Sequence, residues 1–261
     1  MGLQQKIIQY INNRKFNKNF INKMKDFSIE ASFIKKNWIF SFPEKVYCRA
    51  SPSSDFSVFL QVFFHEQYRN IVSLAQLNNI EIKWVLDLGA NVGYTSIYFQ
   101  HYFPDSKILA VEPDFNNFNH LKLNLKNFTN VTLVNCAVWA HQTTLNLKND
   151  KGEAWGKSYD ENIETDVKIK AYSINDFQEK NQQLIIDVLK IDIEGAEKAI
   201  FDSDTEFLNF TKLIAIEIHD DYANRNKINE ILKNYGFIIW ETGELTIGIN
   251  KNFNTLKTVI F

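Results

Sequence analysis

The run Val85-Leu86-Asp87-Leu88-Gly89-Ala90-Asn91-Val92-Gly93-Tyr94-Thr95-Ser96 passes from an apolar segment through an acidic residue and two glycines into an amphipathic stretch that continues to Tyr102. That order reads as strand, tight turn and helix. Working outward, short apolar runs at 84–88, 108–111, 131–134, 188–191, 213–218, 237–241 and 257–261 alternate with amphipathic stretches. The alternation predicts an α/β fold, a parallel sheet with helices on both faces. Upstream, apolar residues recur at helical spacing through Leu3, Ile7 and Ile11 and through Phe16, Phe20, Met24 and Phe27. One or two basic amphipathic helices are expected there, then a short strand at 38–42 and a helix carrying Phe56, Phe59, Leu60, Phe63 and Phe64 on one face. We therefore divide the chain into a helical N-terminal extension, residues 1–80, and an α/β domain, residues 81–261. Residues 149–167 are polar and read as a loop or loose hairpin.

A strand-to-helix turn of this kind offers backbone N–H groups to a ligand. A dinucleotide is the obvious candidate, but its GxGxxG pattern needs glycine where this chain has Asn91 and Tyr94. GxNxG after an acidic residue suits instead a ligand without pyrophosphate and with a cationic amino-acid end, such as S-adenosylmethionine. Asp87 is placed to hold that end directly or through water, with Gly89, Asn91, Gly93, Tyr94 and Thr95 around it. Nineteen residues after Gly93 the next strand ends in Glu112-Pro113, and a carboxylate there accepts both ribose hydroxyls. The third strand leads into Asn135-Cys136-Ala137, at the edge facing the adenine; Asn135 and Ala137 are the expected contacts.

The chain has 261 residues, 45% of them hydrophobic, which suffices for one large or two small packed domains. No window approaches eighteen uninterrupted apolar residues, and the N-terminus lacks the pattern of a secretory signal, so a cytoplasmic protein without stable membrane insertion is expected. Cys48 and Cys136 have no CxxC spacing and indicate neither a disulfide framework nor a structural zinc site. Residues 1–50 carry ten Lys/Arg against three Asp/Glu, and the rest nineteen against twenty-eight, so a basic segment precedes an acidic body. The net charge of −2 disfavours indiscriminate nucleic-acid binding.

The run Asp87 to Ser96, Glu112-Pro113, Leu189-Lys190-Ile191-Asp192-Ile193-Glu194-Gly195-Ala196-Glu197 and Ile216-Glu217-Ile218-His219 together resemble the FkbM family of S-adenosylmethionine-dependent methyltransferases, over roughly residues 45 to 240. Arg49, Ser54-Asp55, Phe59 and Glu66-Gln67-Tyr68 are similar to a segment that lies near the cofactor in some members, which makes Ser54 a further candidate contact. The resemblance implies a class I, Rossmann-like fold with a seven-stranded sheet whose last strand is antiparallel. It also implies methylation, usually at a hydroxyl oxygen, without fixing the substrate.

A hydroxyl acceptor must lie about 3 Å from the methyl carbon, opposite the sulfur, and must lose its proton as the bond forms. Asp192 follows the fourth predicted strand, where the carboxyl ends of strands surround the ligand crevice. Glu194 and Glu197 follow it, and either could cap the next helix or hold a cofactor amine. His219 ends the fifth strand and is the leading general base, because an imidazole titrates near neutral pH. Alternatively Asp192, Glu217 and His219, with Asp220-Asp221 nearby, could hold Mg²⁺ or a similar ion. Lys190 inside an apolar strand needs a partner, for which Asp87 is the candidate. His65, His101, His120 and His141 read as structural, and Trp155 and Lys157 as candidates for covering a sugar.

The leading function is O-methylation of a small-molecule hydroxyl, with a sugar, free, nucleotide-linked or in a surface glycan, as the favoured acceptor. Competing readings are a nucleic-acid methyltransferase using the basic N-terminal segment and a non-catalytic assembly protein on the same fold. Asp192-Ile-Glu-Gly stands where an Asn-Pro-Pro-Tyr-like run would indicate methylation of a base amine. A homo-oligomer through the first helices is also open.

Overall fold

The structure, a computed structural model, describes residues 30–34, 37–42, 44–49, 53–150, 157–161 and 164–253. The basic helices expected before residue 28, Trp155 and the strand expected at 257–261 lie outside these residues, and Lys157 is described only in its backbone. The chain divides into two units, 1–66 and 67–261.

In the first unit, β1 (Glu30–Ile34), β2 (Asn37–Phe42) and β3 (Glu44–Tyr47) form an antiparallel sheet in that order. The single strand expected at 38–42 is thus its middle strand. Helix α1 (Asp55–Phe59) continues into a π-helical turn, Leu60–Phe64. Asp55 at its start is buried and accepts from the guanidinium of Arg49 (2.7 Å to Nη2), the Arg49 backbone N–H (2.8 Å) and the Ser53 hydroxyl (2.6 Å). Burial pushes this carboxyl up, but the hydrogen bonds from Arg49 and Ser53 outweigh it and hold the group below the usual carboxylate range.

The second unit begins with α2 (Arg69–Leu77), which packs on sheet strands and bonds through Asn70 to Thr242. It therefore goes with the sheet rather than with the N-terminal extension. There follow β4 (Trp84–Leu88), α3 (Tyr94–Tyr102), β5 (Lys107–Val111), α4 (Phe115–Leu125) and β6 (Val131–Val134). A small accessory sheet comes next, from β7 (Ala137–Val138), β8 (Thr143–Asp150), β9 (Lys157–Asp160) and β10 (Lys168–Tyr172), in the order β7-β10-β8-β9. The chain returns through α5 (Ile174–Lys180), β11 (Ile186–Ile191), α6 (Glu197–Phe201), β12 (Thr211–Glu217) and α7 (Arg225–Asn234). It ends in β13 (Phe237–Thr242) and β14 (Leu245–Asn250).

The main sheet has seven strands in the order β13-β14-β12-β11-β4-β5-β6, and β14 runs antiparallel to both its neighbours. This is the implied class I arrangement. The reversed strand, however, is 245–250 rather than 257–261. Gly243-Glu244 joins Thr242 to Leu245 as a two-residue hairpin turn with Gly243 at φ +60°, so the chain doubles back as soon as β13 ends. All residues of β4 and β11 are buried, as central strands covered on both faces require. Leu86, Leu88, Leu189, Ile191, Ile214 and Ile216 share one core cluster with side chains of α5, α6 and α7. Parallel pairing of β11 with β4 and β12 brings the ends of three strands together at Leu88, Ile191 and Ile216.

Candidate active site

The glycine turn is shaped by the residues beneath it. Gly89 has φ +76°, and a Cβ there would stand 1.7 Å from the Asp192 carbonyl oxygen, so only glycine lets the two loops approach. The Asp192 N–H completes the contact by bonding the Leu88 carbonyl (3.1 Å). Gly93, at φ +94°, begins α3, and a Cβ on it would meet Leu121 and Leu125 of α4 at about 3 Å. Its role is helix packing. Between the two, Asn91 adopts a left-handed conformation, φ +50°, and points its N–H at Glu112.

Below the turn lies a buried ionic knot. Lys190, 2% exposed, donates to the carbonyls of Gly89 (2.6 Å) and Leu88 (3.2 Å) and lies 3.3 Å from Asp87 and 3.6 Å from Asp192. Asp87, fully buried, also accepts from the Ser96 hydroxyl at 2.7 Å. Burial lowers the Lys190 pKa, but the charges of Asp87 and Asp192 outweigh it, and the amine stays protonated. The pairing expected for Lys190 with Asp87 is present. It commits Asp87 to the framework. Tyr68, buried beside this knot and bonded to Thr95, has its phenol pushed well above its ordinary range, first by burial.

Glu112 follows β5. Its carboxylate accepts from the backbone N–H groups of Asn91 and Asp114, both at 2.9 Å, and more loosely from the Asn117 amide at 3.4 Å. Only 6% of the residue is exposed, and burial raises its pKa to about 7 against the lowering effect of these bonds. Next to it opens a cleft whose empty space, its open mouth included, is about 710 Å³. Gly89, Asn91, Glu112, Ala137 and Asp192, all expected at the cofactor, line this cleft. Gly93, Tyr94, Thr95 and Asn135 do not. Asn135 instead donates its amide to the carbonyls of Glu112 (2.8 Å) and Pro113 (3.1 Å), holding the backbone that presents the carboxylate. Ser54 belongs to the first unit, at the start of α1. Sequence reasoning missed Trp139, Leu145 and Tyr159, which line the cleft from the accessory sheet and the loop after β7. Their signal was weak, because Trp139 lies in a loop and the strands that carry Leu145 and Tyr159 are rich in polar residues.

At the other end, Asp192 and Glu194 line the cleft and His219 faces them. Glu194 and Gly195 both have positive φ, +53° and +98°, and this turn brings Glu194 Oε2 to 3.4 Å from His219 Nε2. Glu217, on the same side of β12 as the strand alternation predicts, lies 3.8 Å from that nitrogen. Behind the ring, the fully buried Glu197 holds Nδ1 at 2.7 Å. Burial lowers the His219 pKa, but the hydrogen bond and charge of Glu197 and the charges of Glu194 and Asp192 raise it to about 9. With no metal bound, the imidazole is therefore protonated at neutral pH. The role of free base expected from its ordinary value is disfavoured by this upward shift. Burial and Asp192 also push Glu217 up to about 8.

The model of the methyltransferase FkbM domain matches residues 87–239, more than half of the chain and all of the site just described. The chain belongs to the FkbM methyltransferase family. It is an S-adenosylmethionine-dependent methyltransferase. Curated relatives include methyltransferase sdnD of Sordaria araneosa, 27% identical over 60% of this chain and 74% of the relative. Methyltransferase 1 of Beauveria bassiana (strain ARSEF 2860) is 24% identical over 60% and 72%. Similar solved structures include a methyltransferase from Geobacter sulfurreducens, 15% identical over 75% of this chain and 87% of that one, with a TM-score of 0.42. Another is the precorrin-6y C5,15-methyltransferase of Geobacter metallireducens, at 17% over 70% and 86%, with a TM-score of 0.40.

The residues present fit such a cofactor. A carboxylate pre-set by two backbone N–H groups stands at the cleft wall where a ribose diol would be held, and the turn beside it has no room for a side chain. No helix among the described residues is long and apolar enough to cross a membrane.

Proposed function

We propose that the protein methylates a hydroxyl oxygen of a small polar acceptor, with a sugar as the favoured class. The observation that carries this reading is the cluster Asp192, Glu194, Glu217 and His219 at the far end of a cleft whose near end carries Glu112. Glu112 and the backbone at Gly89 and Asn91 hold the nucleoside. The cofactor supplies an electrophilic methyl group on a sulfonium. With the cofactor bound, an O–C bond would form as the C–S bond broke with its electron pair returning to sulfur, and the residues here would have to take the acceptor's proton.

Asp192 and Glu194 are each partly exposed to the cleft, at 29%, and can accept that hydrogen. The His219 imidazolium, oriented by Glu197, donates to an acceptor oxygen and fixes its position. A sugar suits this end, because several carboxylate oxygens converge on it and few apolar side chains, Ile193 and Ala196 among them, line it.

The test is an acceptor screen with purified protein and S-adenosylmethionine, reading demethylated cofactor by mass spectrometry. Turnover with sugars or sugar nucleotides, lost in Asp192→Asn, is the expected result. Turnover confined to amines, apolar phenols or nucleic acid would overturn the acceptor assignment.

A further inference from the structure

Asp220, expected beside His219 at the ligand end of β12, is committed to another partner. The Nε of Arg225 donates to both of its carboxylate oxygens at 3.1 Å, and Nη2 donates to Oδ2 at 2.9 Å. The same Nη2 donates to the Ile218 carbonyl at 2.7 Å. One guanidinium thus grips the residue before His219 and the residue after it. Its Nη1 lies 3.5 Å from Oγ1 of Thr246, a fully buried residue of β14, so the grip is anchored in the main sheet. Arg225 is the first residue of α7, where a cation runs against the helix dipole. Helix formation therefore gives no reason for arginine at this place, whereas a planar fork that meets a carboxylate and a carbonyl together does.

We propose that Arg225 is a positioning residue for His219, clamping the backbone on both sides of it so that the imidazole stays between Glu197 and Glu194. The chain within the clamp is tightly turned, because the His219 carbonyl accepts from the N–H groups of Tyr222 (2.9 Å) and Ala223 (3.0 Å). The Tyr222 ring lies against Gly195, where a Cβ would stand 3.0 Å from it, and this packing joins the His219 turn to the turn that carries Glu194. The imidazole has little slack, with Nδ1 2.7 Å from Glu197 and Nε2 3.4 Å from Glu194. Glu197 is fully buried, and its second carboxylate oxygen has no hydrogen-bond partner. A displaced ring would strip this buried carboxylate of its bond to His219, so a fixed backbone at residue 219 matters for both. Lysine at residue 225 would bring a point charge in place of the fork and could not reproduce the whole grip.

The effect on turnover rests on the hydroxyl-methylation reading above, whereas the position of the ring is measured without it. In full-length protein carrying isotope-labelled histidine, the Nδ1–H proton of His219 faces the buried Glu197 and is sheltered from water, so it gives a magnetic resonance signal that His219→Gln assigns by its absence. Demethylated cofactor is titrated by calorimetry, and turnover is followed on an acceptor that the wild type methylates. Arg225→Ala should lose or shift the His219 signal with unaltered circular dichroism and unaltered cofactor affinity, and should lower kcat about 10- to 100-fold. Arg225→Lys should fall between it and wild type. Asp220→Ala, which removes one arm of the clamp at a position 63% exposed, should shift the signal in the same direction and decides the matter if Arg225→Ala does not fold. Absence of the signal in wild type, or an unchanged signal or kcat in the folded variants, would overturn the proposal. So would a parallel loss of cofactor affinity, which would make Arg225 a support of the whole cleft. A signal that depends on Arg225 in a protein that methylates only amines would keep the clamp and sink the hydroxyl reading.

Discussion

The two ends of the cleft handle charge in opposite ways. At the glycine turn every charged group is already committed: Lys190 to Asp87 and two carbonyls, and Glu112 to two backbone N–H groups. At the ends of β11 and β12, three carboxylates and an imidazole face the cleft or each other at 3.4 to 3.8 Å, partly exposed. The first end is pre-organised, so a ligand meets fixed donors and acceptors and little ordering free energy is spent on binding. The second gathers carboxylates around one imidazole, so its charge depends on pH and on what binds there.

The largest effect should come from opening the committed end. Lys190→Ala leaves Asp87 buried without its cation, and loss of one partner of a buried pair costs about 3–5 kcal/mol. Urea unfolding should show a drop of that size; an unchanged midpoint would mean the knot is not what holds the turn. Next, Glu112→Ala should weaken binding of the demethylated cofactor about 100-fold by calorimetry, roughly 3 kcal/mol, with the fold retained. A change under threefold would remove Glu112 from the ribose site.

The charged cluster should respond to pH. His219 has its pKa raised to about 9 in the folded, metal-free protein, against an ordinary value of about 6.5. The stability it contributes is fully present below about pH 6.5 and is lost as pH rises through about 9, a change of about 3 kcal/mol. In EDTA, the stability difference between wild type and His219→Gln should shrink over that window. A constant difference from pH 6 to 10 would show that the imidazole is not held protonated. The smallest effect belongs to the accessory-sheet wall: Tyr159→Ala, removing an aromatic face from the cleft, should weaken cofactor or acceptor binding about 3- to 10-fold. No change in either would take β9 out of the binding surface.

The committed end was the more legible in the sequence, because backbone geometry there forces residue identity. Gly89 and Gly93 stand where no Cβ fits, and Glu112 follows a strand at a fixed interval from the turn. Asn135 was legible as a polar residue at the right edge, but its amide turned to the backbone of Glu112 and Pro113 once those carbonyls lay within reach. Residues 149–167 read as a loop or loose hairpin, and the antiparallel pairing of β8 with β9 there agrees with a hairpin; the sequence did not reveal the rest of the accessory sheet. Its short polar strands cover a core of Ala137, Leu145 and Ala171, too small to impress a period on the sequence. The last sheet strand was displaced because Gly243 turns the chain after β13, a local signal outweighed by the apolar run farther on.

By itself the sequence determined the α/β class, the strand-to-helix turn, a carboxylate at the end of the next strand and the grouping of Asp192, Glu217 and His219. Each of these follows from local spacing along a strand or around a turn. The tertiary structure alone decided which nitrogen of His219 meets Glu194, that Glu197 stands behind the ring at 2.7 Å, and that these carboxylates push the imidazole pKa upward. Those properties depend on distances between side chains from β12, α6 and the turn after β11. Electrostatic coupling follows distance through space and burial, which the spacing of residues along a chain does not encode.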